Sequence, residues 1–184
     1  GLEAHFALVK TRNAGLVDTK IPSQQFNHAI VYVPQQEGIA EGRFFDPTVD
    51  TLDIETLRFD DQGTTSLVYN PTTREHSWRE IPFQESAFNA TRDEVTLTLN
   101  AEGDVEGTLV LSGRGEIAQI LRQRARNPEA FKQVMQYRLH QLFPGAEMIA
   151  HEPLEVESLF KPASASISFK LGSWAKKEGE SLRL

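Results

Sequence analysis

Phe26-Asn27-His28-Ala29-Ile30-Val31-Tyr32-Val33, and after a polar connection Gly42-Arg43-Phe44-Phe45-Asp46-Pro47-Thr48, are the residues whose reading decides the fold of this chain. The first run is apolar, β-branched and aromatic, bounded by Pro22 and Pro34, and reads as a mostly buried strand. One face of it carries Phe26, His28, Ile30 and Tyr32. The second run is extended again, because Pro47 biases Asp46 towards β geometry and forbids a helix there. The two strands are expected to form a hairpin. In the simplest register Tyr32 faces Gly42, Ile30 faces Phe44 and His28 faces Asp46. Directly opposed residues have Cβ atoms about 5 Å apart, within hydrogen-bonding reach for imidazole and carboxylate. A carboxylate on one ring nitrogen orients the ring and stabilises the imidazolium, which leaves the other nitrogen as a base.

Working outward, Ala4 to Arg12 reads as a strand ended by Asn13-Ala14-Gly15, and Ser66 to Tyr69 as a last short strand broken by Asn70-Pro71. The segment from 49 to 65 has no sustained period and reads as a surface loop. Its acids Asp50, Asp53, Glu55, Asp60 and Asp61 lack the ligand spacing of a calcium loop and read as a solvated face.

The strand with His28, the Phe45-Asp46-Pro47-Thr48 that follows, and Asp61-Gln62-Gly63 with Ser66-Leu67-Val68 resemble the end of the transglutaminase-like domain of large bacterial multidomain proteins. The similarity continues through a hairpin, the helix start Gly113-Arg114-Gly115-Glu116 and a final strand region. The resemblance implies a papain-like triad, with a Cys on a helix, a His on a strand and an Asp on the next strand. His28 and Asp46 match the last two positions. It also implies a cysteine hydrolase or acyltransferase acting on a protein or peptide substrate, in the periplasm or outside the cell.

The chain contains no cysteine. In the family the Cys-bearing helix lies upstream of the first strand seen here, so the chain is expected to be a C-terminal part that is inactive by itself. Gly1 and the early apolar run fit that expectation. Without the helix, one sheet face is expected to expose Phe6, Phe26, Ile30 or Phe44 and to permit self-association. The alternative is a non-catalytic structural or protein-binding module of a bacterial cell-envelope protein, in which the His and Asp only satisfy each other.

Composition sets the remaining limits. With 184 residues, 39% hydrophobic and 24% charged, the chain can bury a real core. A net charge of −7 argues against nucleic acid, which demands a basic face. No apolar run approaches the ~20 residues of a membrane span. No cofactor motif is present: Ser112-Gly113-Arg114-Gly115 lacks the Lys and length of a phosphate loop. No metal site is expected either, because His76, His140 and His151 lie apart from further ligands, and His5 reads as an edge histidine.

Beyond a boundary near residue 82 the period changes. Val95, Leu97 and Leu99, then a turn at 101–104, then Val105, Leu109 and Leu111 read as a hairpin. From Gly115 the spacing is helical, with Ile117, Ile120 and Leu121 inward and Arg122 outward as part of a solvated arginine face with Arg114, Arg124 and Arg126. Asn127-Pro128-Glu129 opens a second helix, whose stripe is Phe131, Val134, Met135, Leu139 and Leu142. Strands at 146–150 and 164–171, and another from Leu182, complete the chain. The fold class expected is α+β, with a mainly antiparallel β unit at 1–82 and an antiparallel sheet with two helices at 83–184.

Overall fold

Alternating burial in the first strands becomes a five-stranded antiparallel sheet in the computed structural model, which describes residues 1–21, 23–179 and 181–183. Pro22, expected to bound the His28 strand, and Leu184, expected in the terminal strand, lie outside the described residues. Two compact units are present, Gly1–Phe88 and Asn89–Leu184. The first runs past residue 82 because its last residues are tied back to its own loop. Ile81 is buried, its N–H donates to the Thr64 carbonyl, and Gln84 bonds Leu57 and Gln62.

The sheet of the first unit contains β1 (His5–Val9), β2 (His28–Val33), β3 (Arg43–Phe45), β4 (Thr65–Tyr69) and β5 (His76–Glu80), in the order β3-β2-β1-β4-β5. Strand β1 is shorter than the sequence suggests. Its extension curls into a 3-10 turn at Arg12–Ala14, anchored by the Arg12 N–H on the Asp60 carbonyl. Strand β5 is not legible in the sequence: His-Ser-Trp-Arg-Glu has no apolar alternation because every residue of this edge strand is exposed. Its register comes from the turn before it, where Asn70 Oδ1 accepts from the N–H groups of Thr72 and Thr73.

Ala7, Val9, Ile30, Tyr32 and Val68 lie on one face of this sheet, and Leu57 and Ile81 pack over them. The segment between β3 and β4 therefore forms a second layer rather than a surface loop. Leu52, Leu57, Asp60 and Asp61 are buried, contrary to the solvated acidic face expected of this stretch. The other face is open, with Phe6 60% exposed and Leu8, Tyr69 and Trp78 partly exposed beside it. Ile30, expected on the open face, is only 2% exposed, because Ala7 pairs with it across the covered side.

The second unit is a four-stranded antiparallel sheet of β6 (Thr91–Leu99), β7 (Val105–Gly113), β8 (Glu147–Pro153) and β9 (Ala163–Leu171), in the order β6-β7-β9-β8. Helices α1 (Glu116–Ala125) and α2 (Pro128–Leu142) pack on it, and β10 (Lys176–Glu178) pairs with β11 (Ser181–Arg183). Asn127 caps α2 by accepting from Glu129 and Ala130 N–H, with Pro128 in its first turn. Phe131, Met135 and Leu139 are the fully buried stripe of α2, while Leu142 sits at its exposed end. Arg122 is not on the solvated face. It is buried, and its guanidinium donates to the carbonyls of Ser158 and Lys161, so it closes the β8–β9 connection onto α1.

Both units are antiparallel sheet, and the second adds two helices, an α+β fold. Among the described residues no helix is long and apolar enough to cross a membrane.

Gly107 of β7 is tightly packed in the second unit. A Cβ built there would lie 2.4 Å from the Phe169 ring and 2.8 Å from Leu97. Gly107→Ala should cost roughly 1–3 kcal/mol through overpacking, read as a lower urea midpoint at unchanged slope. An unchanged midpoint would mean that Phe169 can turn aside.

Candidate active site

His28 opens β2 opposite Val9, and the residue before it fixes that end of the sheet. Asn27 Oδ1 accepts the Thr11 N–H at 2.8 Å, and its Nδ2 donates to Thr11 Oγ1 at 2.9 Å. Across the hairpin, Tyr32 pairs with Phe44 and Val31 with Phe45, so the register is slipped by two residues from the simplest one. A slip of two leaves every side chain on its face, since the side-chain period of a strand is two. His28 and Asp46 therefore still share a face, as diagonal neighbours, and His28 Nε2 lies 3.0 Å from Asp46 Oδ2.

Asp46 follows the last residue of β3, and Pro47-Thr48 turns the chain back on it. Asp46 Oδ1 accepts from Thr48 N at 2.9 Å and Thr48 Oγ1 at 2.6 Å, an Asx-type turn that aims Oδ2 at the imidazole. Burial by itself would raise the Asp46 carboxyl. The bonds from the Thr48 side chain and backbone and from His28, with the His28 charge, outweigh burial and hold it below its ordinary value. An ionised Asp46 only accepts, so His28 donates the shared hydrogen bond through Nε2, and Nδ1 is the ring nitrogen not engaged by Asp46. Among the described residues no hydrogen bond to Nδ1 is formed.

A third residue joins the pair from the loop. Asp61 Oδ2 lies 3.7 Å from His28 Nε2, and both carboxylate oxygens are buried without a hydrogen-bond partner. Its side chain is 0% exposed. Burial pushes its carboxyl up to about 7, with Asp46 and Asp60 adding and the charges of His28 and Arg58 opposing. Arg58 does not neutralise it directly, because its guanidinium forks onto Asp60 at 3.0 and 2.7 Å. One donor atom each from His28, Asp46 and Asp61 lies within 4.8 Å of the other two.

The motif Asp61-Gln62-Gly63 now has a physical content. Gln62 donates to the Leu57 carbonyl and accepts the Gln84 N–H, which knits the loop to the end of the unit. Gly63 has φ +71° and its N–H bonds the Ile81 carbonyl; a Cβ there would strike the Phe83 ring at 2.2 Å. Asp61 is thereby delivered beneath His28. Sequence reasoning assigned Asp61 to a solvated loop; the signal that could have found it was its place in this tripeptide.

Comparison with protein-family models, curated proteins and solved structures finds no match for this chain.

The site sits on the covered face of the sheet, not on the open one. The His28 side chain is 13% exposed and that of Asp46 0%. An open groove of about 650 Å³ on the same unit, lined by Tyr32, Phe44, Leu57, Trp78 and Arg79, does not include the three site residues. His5 pairs with Glu3 at the far end of β1, and His76 lies on exposed β5, so neither joins the cluster.

Proposed function

We propose that His28 and Asp46 are the base and the orienting carboxylate of a Cys-His-Asp triad of the transglutaminase-like kind, with the thiolate supplied from outside these 184 residues. The observation that carries this reading is the aimed pair itself: an ionised Asp46, oriented by Thr48, holds His28 through Nε2 and leaves Nδ1 for a reacting proton. In such a site the thiolate attacks an amide carbonyl of a protein or peptide, His28 protonates the leaving amine, and water or a second amine completes hydrolysis or transfer. The chain by itself carries no thiol and performs none of these steps. The open face around Phe6 and Leu8 is in this reading the contact surface of a further layer, and in the isolated chain a surface for a second copy. In this reading the protein acts in the periplasm or outside the cell, as the family resemblance implies.

A non-catalytic module is the second reading, favoured by the absence of cysteine and by carboxylates sealed under the loop. The two are separated by thiol reactivity in a longer form of the protein that carries an upstream cysteine. There, iodoacetamide should label that thiol faster than free cysteine near pH 7, and His28→Ala should slow labelling roughly tenfold, because the imidazolium no longer stabilises the thiolate. Equal labelling of both forms would leave His28 as a core residue and support the module.

A further inference from the structure

We infer that His28, Asp46 and Asp61 form a binding site for one divalent cation of the zinc class. The inference goes beyond the triad reading and does not rest on it. Three donors from three separate segments converge: an imidazole nitrogen from β2, a carboxylate after β3, and a carboxylate from the loop before β4. Tetrahedral or octahedral coordination at bond lengths near 2.1 Å places adjacent donors roughly 3.0–3.5 Å apart. The separations from His28 Nε2, 3.0 Å to Asp46 Oδ2 and 3.7 Å to Asp61 Oδ2, bracket that range.

The independent sign of a ligand is Asp61. A carboxylate that is 0% exposed, with neither oxygen hydrogen-bonded, is rare in folded proteins, and here it is aimed at an imidazole it does not reach. A cation between Asp61, His28 and Asp46 would displace the proton that Nε2 shares with Asp46 and supply the partner that Asp61 lacks. Thr48 already holds the outer oxygen of Asp46, the supporting arrangement that orients a ligating carboxylate. One nitrogen and two oxygens suit Zn²⁺ or a neighbouring first-row ion better than Ca²⁺, which takes six to eight oxygens. Three protein ligands also leave a coordination position open.

The test is calorimetric titration of the metal-stripped chain with Zn²⁺ near pH 7.5, together with NMR of its histidine rings. The expected result is one saturable equivalent that shifts the His28 ring signals. His28→Ala and Asp61→Asn should each weaken it by about 10–100-fold or more, and Thr48→Ala, which only loosens Asp46, by about tenfold. Unchanged affinity in His28→Ala and Asp61→Asn, or an equivalent that moves the rings of His5, His76, His140 or His151 instead, would overturn the site. So would the absence of a saturable 1:1 equivalent. Because the chain has no thiol, a failure here leaves the triad reading standing, and slow thiol labelling leaves the metal site standing.

Discussion

In a longer form that carries the upstream thiol, His28→Ala should lower amide hydrolysis or transfer by roughly 10⁴-fold or more, since members of a triad act as a unit. Asp46→Ala should cost somewhat less, on the order of 10³–10⁴, because the imidazole remains but loses its tautomer and its orientation. The size of the loss should depend on the leaving group. An amine must be protonated as it departs, and on the triad reading His28 is the group that does it; a nitrophenolate leaves without that help. An activated ester should therefore lose far less rate than an amide in the same variant. Steady-state kcat/KM for the two substrate types reads the difference directly. Equal losses on amide and ester would remove His28 from the proton-transfer role, and no loss on either would end the enzyme reading.

Asp61→Asn should stabilise the first unit at pH 8 by up to about 4 kcal/mol, an unusual gain for a single change. The reason is that folding seals a carboxylate with no partner, and burial lifts it from 3.8 to about 7. The sign follows from proton uptake. Between pH 3.8 and 7 the folded chain keeps the Asp61 proton that the unfolded chain has lost, so stability falls as pH rises through this window and the cost is complete above it. Asp46 acts oppositely: its lowered carboxyl contributes stability above its unfolded value, and that contribution is lost as pH falls through the folded one. Wild type and Asp61→Asn should thus converge below pH 4 and separate by pH 8. Trp78 reports the first unit and Trp174 the second, so urea unfolding in a Trp174→Phe background, with chelator present to keep Zn²⁺ away, isolates the effect. A variant that matches wild type at pH 8 would show that Asp61 finds a partner in solution.

The two results bear on one another through geometry. Asp61→Asn should strengthen the fold while weakening Zn²⁺, whereas His28→Ala would remove both the proposed metal ligand and the proposed base. A carboxylate kept at a cost in stability is a common mark of a site selected for something other than folding.

Local chemistry made much of the fold readable. The alternation of Val95, Leu97 and Leu99, the Asn-Pro-Glu cap of α2 and its Phe131, Met135, Leu139 stripe are short-range patterns, and short-range patterns survive whatever the rest of the chain does. Strand β5 was not readable, because an exposed edge strand has no buried face to impose alternation on its residues.

Within the site the division is sharper. That His28 and Asp46 share a face follows from sequence alone: a strand, a short loop and a strand ending in Asp-Pro leave only parity to decide, and the two-residue slip preserved it. The third member could not be placed that way. Asp61 stands in a segment without period, among other acids, and apart from its place before Gln62-Gly63 nothing local distinguishes it from Asp50 or Asp53. What buried it was the packing of Leu57 and Ile81 on the sheet and the turn at Gly63, contacts between residues far apart in the chain. The face that a strand residue takes is decided by period and is written in the sequence. Which loop side chain a second layer presses against that sheet is decided by where the whole loop finds room, and only the tertiary structure states it.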